Sequence, residues 1–322
     1  MDSAFSCWQP IPLHRCQNCH KAAGPEQKLR RCGGCHDGPA YCSKECQKAQ
    51  WPYHKTACRD FSNKNFNTVL GDGRPPPGYT STSELTKAMN DFVQTHAWAL
   101  ETAAKTLALG VFGLDYLNHA SDGISRFVFE SNATADGPRR NPARSFKLVD
   151  LKLVGIETWC ENGQTKAEVA EMLAENRRTA IGHFTRQIPD RPPKGVLQVA
   201  YQIRGERATH WQCFPQYQLP SPIPPPPLKG PEIAESFRDL ITLCTASVNG
   251  GYPFRWLRGR GPFAYPGRYT HTKHQWTWEP LFTNWEDHRQ GPANYPTLTA
   301  LNDLRSGQTP DQLMWLISLF NC

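Results

Sequence analysis

Apolar residues recur at three- and four-residue spacing at Leu85, Met89, Phe92, Val93, His96, Leu100, Ala103, Ala104 and Leu107. This period predicts one amphipathic helix over residues 82–109, with Ser81 and Glu84 as a capping box and Gly110 as its stop. His96 falls on the apolar face and reads as a core histidine. Alternating or continuous apolar runs predict strands at 126–130, 145–149, 151–154 and 196–203. Helical periods cover 166–184 and 232–248. Thr309-Pro-Asp-Gln312 is a capping pattern leading into a last helix at 313–320. Helices and strands mix without a regular βαβ alternation, so residues 81–322 are expected to form a larger α+β domain.

The first sixty residues follow another logic. Seven of the chain's twelve cysteines lie within 43 positions: Cys16, Cys19, Cys32, Cys35, Cys42, Cys46 and Cys58. With His54 they make four pairs, spaced x2, x2, x3 and x3. Residues 1–25 are polar and broken by prolines, and no apolar run approaches membrane-spanning length. The expected setting is therefore intracellular, nucleus or cytoplasm, with no membrane, and a cysteine cluster there reads as metal binding rather than disulfides. A disulfide framework would use an even number of cysteines, so seven with one spaced histidine argue for metal. Eight such ligands suit two closed, four-coordinate structural zinc sites, two Zn2+ per chain. Gly33 and Gly34 are expected to supply positive backbone angles in the turn between Cys32 and Cys35. Cys42 and Cys46, like His54 and Cys58, are four apart and so share a helix face. Ser43 and Pro52 mark the starts of two short helical pieces, 43–50 and 52–58. His20 and His36 each follow a cysteine too closely to reach the same ion. Cys7, Cys160, Cys213, Cys244 and Cys322 have no partner spacing.

The run Tyr41-Cys-Ser-Lys-Glu-Cys-Gln-Lys-Ala-Gln-Trp-Pro-Tyr-His-Lys-Thr-Ala-Cys58 resembles the C-terminal half of a MYND-type zinc finger, and the preceding cysteine pairs match its N-terminal half. The resemblance implies a cross-braced fold in which Cys16, Cys19, Cys42 and Cys46 hold one zinc and Cys32, Cys35, His54 and Cys58 the other. It also implies a protein–protein interaction module for proline-containing peptides. The layout, finger first and a proline- and tryptophan-rich domain after it, is similar to MYND proteins of mushroom-forming fungi. The expected organisation is a tail at 1–15, the finger at 16–58, a linker at 59–80 and the α+β domain at 81–322. Gln47, Gln50, Trp51 and Tyr53 stand among the helical ligand positions and are the candidate partner-binding residues. Trp51 is either an interface anchor or a plug in the finger's own core.

The formal charge of +7 first suggests nucleic acid, but seven thiolates and two zinc ions lower it to about +4. No block of five like charges occurs, and direct nucleic-acid binding is not favoured. Residues 252–285 interleave aromatics with Arg255, Arg258, Arg260, Arg268 and Lys273, which reads as a loop-rich core with cation–π contacts. The proline-rich loop at 219–231 is expected to be polyproline II. It is a spacer or, through Pro226-Pro227-Leu228, a segment for homotypic or intramolecular docking.

No phosphate loop, His-Glu-x-x-His or Gly-x-Ser-x-Gly motif is present, and no catalytic residue is identified. The alternative function is a cryptic enzyme in the C-terminal domain. For a methyltransferase, Asp115-Tyr116-Leu117-Asn118-His119 would be the nearest pattern, but no Gly-x-Gly cofactor loop precedes the finger.

Overall fold

The structure, a computed structural model, describes residues 11–23, 28–35, 38–60, 78–119, 123–132, 140–160, 165–188, 190–205, 209–217, 230–257, 260–272, 275–290 and 304–320. The proline-rich run 218–229 lies outside them, as do Cys7, His36, Arg258, Lys273 and Cys322.

A four-stranded mixed sheet is the centre of the larger domain. Its strands are β4 (Ile124–Ser131), β5 (Phe146–Val154), β6 (Gly195–Ile203) and β7 (Thr209–Gln216). They lie in the order β5-β4-β6-β7, with β4 and β6 parallel and the outer pairs antiparallel. The two runs expected at 145–149 and 151–154 are one strand, β5, because a register shift between Val128 and Phe129 of β4 absorbs the break in alternation. β7, with Trp211 and Phe214 among polar neighbours, was not foreseen.

Side-chain alternation on β6 sorts the two faces. Leu197, Val199, Tyr201 and Ile203 join the main core, while Ala200 joins Ile124, Val154, Val169 and Leu173 on the opposite face. That second face is covered by α4 (Lys166–Gln187), which carries the crossover from β5 to β6. Thr165 and Glu168 close a complete capping box at its start. Gln198 also points there, and its amide nitrogen donates to the Leu173 carbonyl at 3.0 Å.

The main face is covered by α3 (Ala97–Phe112) and α5 (Pro231–Gly250), which pack against each other. α3 continues α2 (Thr82–Thr95) through a bend at His96. The single helix expected at 82–109 is thus two segments, and the second runs past Gly110 to Phe112. The reason lies at His96, which is fully buried and whose Nε2 meets the Ala143 carbonyl at 3.0 Å. At the start of α2, Ser81 Oγ accepts from the Glu84 amide at 3.1 Å. The reciprocal half of the box is diverted, because Glu84 accepts from both the amide and the hydroxyl of Thr80, at 2.8 and 2.7 Å.

A second, antiparallel sheet has the order β1-β10-β9-β8, made of β1 (Ile11–Pro12), β8 (Phe254–Trp256), β9 (Ala264–His271) and β10 (Trp276–Pro280). The aromatics of 252–285 are mostly core here. Phe254, Tyr265, Tyr269, Trp278, Phe282 and Trp285 are buried, and only Trp256 stands well out at 60% exposure. Arg255 lies over the Tyr269 ring at 5.5 Å, as a cation–π contact requires. The short helix α6 (Trp285–Gln290) and the final helix α7 (Pro310–Leu319) complete the domain.

β1 ties the beginning of the chain to this sheet. Ile11 is opposite Trp278, the Leu13 amide donates to the Trp276 carbonyl at 2.9 Å, and Leu13 is buried in the main core. Residues 11–13, read as part of a tail, are therefore a sheet edge that fixes one end of the finger. No helix among the described residues is long and apolar enough to cross a membrane.

Candidate metal centre

The finger consists of a two-stranded hairpin, β2 (Arg30–Arg31) with β3 (Ala40–Tyr41), followed by α1 (Lys44–Asp60). Ser43 starts α1, since its Oγ accepts from the Cys46 amide at 3.2 Å. The two helical pieces expected at 43–50 and 52–58 are one helix running through Pro52. Proline removes one intrahelical bond and normally breaks a helix interior. Here Cys46 on one side, and His54 and Cys58 on the other, are held in separate clusters that keep both halves in place.

The eight ligands form two groups. Cys16, Cys19, Cys42 and Cys46 make one, and Cys32, Cys35, His54 and Cys58 the other; within each, the ligand atoms all lie within 4.8 Å of one another. Cys19 Sγ is 3.5 Å from Cys42 Sγ, and Cys42 Sγ is 3.4 Å from Cys46 Sγ. In the second group Cys32 and Cys58 sulfurs are 3.8 Å apart, and Cys35 Sγ is 3.4 Å from His54 Nε2. A tetrahedron with zinc–sulfur bonds of about 2.3 Å has edges of about 3.8 Å. The separations fit that ion, and the pairing is interleaved: each group takes one pair from the N-terminal half and one from the helical half.

The electrostatics point the same way. Burial works against a charged Cys16 thiolate, but backbone amides of Cys19, Cys42 and Asn18 outweigh it and bring its pKa to about 6. Cys42 is pushed up to about 12 by the sulfurs of Cys46, Cys19 and Cys16. In the second group burial, together with Cys32 and Cys58, raises Cys35 to about 12, while burial lowers the pKa of His54. Each cluster thus settles one thiolate and resists the next. A dication in the centre removes that repulsion. Four protein ligands close each site, so zinc here is structural, and the chain's residues contribute a rigid cross-brace.

Two local features close the loops. The Cys16–Cys19 turn ends at His20, whose left-handed backbone (φ 57°) lets its amide return to the Cys16 carbonyl at 2.8 Å. In the second loop neither Gly33 nor Gly34 has a positive φ, which corrects the expectation; a Cβ at Gly34 would stand 3.1 Å from Cys58 Sγ, while Gly33 faces open space. Gly38 is the one that sequence reasoning passed over. A Cβ there would stand 2.6 Å from Cys32 Cβ and 2.8 Å from Cys35 Sγ. The signal was a glycine three residues beyond a ligand pair, in a hairpin that must fold back over it.

The candidate partner-binding residues lie along α1. Trp51 and Tyr53 are exposed, at 44% and 72%, while Gln47 and Gln50 are half-buried. Trp51 is therefore not a core plug; its ring stands edge-on to His54 with centroids 5.9 Å apart. The Asp115–His119 pattern does not converge. Tyr116 turns inward and donates to Gln216 Oε1 at 3.0 Å, whereas Asn118 and His119 fold back toward Asp115 at the surface.

Residues 16–58 match the model of the MYND finger family. A stretch of 57 residues is 37% identical to the SET domain and MYND-type zinc finger protein 6 of Schizosaccharomyces pombe; it covers 17% of this chain and 11% of that protein. No solved structure matches the chain. Residues 16–58 are thus a MYND-type finger with two zinc-binding clusters, followed by a larger domain of mixed helices and sheets.

Proposed function

We propose that this finger captures proline-containing segments of other proteins, with α1 as the contact surface. A MYND finger is a zinc-binding protein-interaction module, and its closed metal sites leave function to the surface they hold rigid. The observation that carries the peptide reading is the exposure of Trp51 and Tyr53 on the helix that supplies His54 and Cys58. Flat aromatic faces pack well on proline rings, and a preformed polyproline II segment loses little entropy on docking. Gln47 and Gln50 share the side of α1 that carries Trp51, while Tyr53 lies round the helix from it; the two amides can hydrogen-bond the peptide's carbonyls, which a proline-rich chain leaves unpaired. The setting proposed for this interaction is the nucleus or cytoplasm.

The test uses the full, zinc-loaded chain and labelled peptides, one of them residues 219–231 of this sequence. Trp51→Ala should abolish binding of a proline-containing peptide while two zinc ions remain bound. Undiminished binding by Trp51→Ala and Tyr53→Ala would remove the proposed surface. Binding of the 219–231 peptide would extend the reading to homotypic docking.

A further inference from the structure

A cleft with a volume of about 720 Å³ lies where the finger meets the larger domain. Both units build its wall. Lys28, Arg30 and Arg31 come from the finger, Glu84, Lys87 and Asp91 from α2, and Arg140 from the segment before β5. Five cations thus face two carboxylates, and both carboxylates are already engaged. Asp91 is 3.2 Å from Arg31 and 3.1 Å from His14. Glu84 is turned onto Thr80.

The remaining cations make no close ion pair, although Glu84 lies near enough to Lys87 and Arg140, and Asp91 to Lys87, to feel their charge. Among the described residues no carboxylate lies within ion-pair distance of Lys28, Arg30 or Lys87. Arg140 stacks over Tyr79 at 4.0 Å, and its Nη1 is buried without a hydrogen-bond partner. An orphaned guanidinium nitrogen in the wall of an open cleft is costly unless something accepts from it. Leu13, Leu29 and Trp276 give the same cleft an apolar side.

We propose that this cleft binds a compact phosphate-bearing molecule that bridges the finger and the larger domain. Phosphate is the anion that such a set suits, since a dianion offers several acceptor oxygens to converging Arg and Lys groups. A volume of about 720 Å³ is far larger than a bare phosphate and within the range of small-molecule pockets. The ligand therefore carries further atoms, which the Leu13, Leu29 and Trp276 side accepts. This site is independent of the α1 surface proposed for peptides.

The experiment is a calorimetric titration of the full, zinc-loaded chain with inorganic pyrophosphate and tripolyphosphate at low salt. One saturable site per chain is expected. Lys87→Ala and Arg30→Ala, which remove one charge from each unit, should each weaken binding by about tenfold. Arg238→Ala, which removes an exposed cation on α5, should leave it unchanged. If Arg30→Ala loses zinc, Lys87→Ala and Arg140→Ala, both outside the finger, carry the test. Absence of saturation at millimolar probe, or equal affinity in Lys87→Ala and the parent, would overturn the site. So would a single-stranded oligonucleotide that binds several chains and outcompetes tripolyphosphate at equal phosphate concentration, because the surface would then be an extended one.

Discussion

Arg31 of the finger and Asp91 of α2 meet at 3.2 Å across the junction of the two units, with His14 3.1 Å from the same carboxylate oxygen. Burial works against ionising Asp91, but His14 and Arg31 outweigh it and hold the carboxyl below its ordinary range. With the β1 strand and the Gln275 amide reaching the Ala23 carbonyl, this pair fixes the finger's orientation.

Asp91→Ala should therefore loosen docking without unmaking the finger. Partly exposed pairs contribute about 1 kcal/mol, so the full chain should stay folded with two zinc ions. Hydrogen exchange should rise at residues 11–14 and 28–31. Unchanged exchange there would show that β1 and the Gln275–Ala23 hydrogen bond set the orientation without the Asp91 pair.

Zinc content tests the cross-brace. The purified chain should carry two ions, and Cys58→Ser should lower that number and unfold residues 16–58 while sparing the larger domain, because so small a module has too little apolar surface to fold without metal. Gly38→Ala should act more selectively, since its new methyl would press on Cys32 and Cys35 and leave the first cluster untouched. Metal analysis with circular dichroism reads both. Two zinc ions in Gly38→Ala would mean the hairpin has room that its geometry denies.

The pH dependence of the larger domain should carry the mark of His96. Burial lowers its pKa from 6.5 to about 4 despite the Ala143 carbonyl. The folded state therefore resists a proton that the unfolded chain accepts. Stability is unaffected above about pH 6.5, falls as pH drops toward 4 and levels below that, a loss of about 3 kcal/mol in all. The zinc ligands also titrate in acid, so the measurement is the difference from His96→Gln, which keeps a donor for Ala143. Denaturant titrations between pH 7 and 4 should show a shallower slope in the variant; identical slopes would place His96 outside the protonation balance.

In the second sheet, Gly267 lets Trp278 lie flat across β9. A Cβ at Gly267 would stand 2.2 Å from Trp278 Cε2 and 2.4 Å from the Glu279 carbonyl oxygen. Trp278 is held from the other side by its indole nitrogen donating to the Pro253 carbonyl at 2.8 Å and cannot retreat. Gly267→Ala should cost about 3 kcal/mol, read as a lowered unfolding midpoint and a change in tryptophan fluorescence.

What the sequence determined by itself is the part in which chemistry is tied to spacing. Four ligand pairs with short internal loops admit few geometries, so two zinc clusters were legible from Cys16 to Cys58, and the family resemblance supplied their interleaving. Strong local periods and capping residues likewise marked α4, α5 and α7 to within a few residues. Tertiary structure decided what depends on distant partners. Whether 82–109 bends at His96 depends on the Ala143 carbonyl, 47 residues away. Whether 11–13 is a tail or a strand depends on Trp276 and Trp278, more than 260 residues on. Trp51 is exposed because the metal clusters, and not an apolar core, hold α1. The basic cleft has no local signature at all, since its cations come from three separate stretches that become neighbours only when the finger docks.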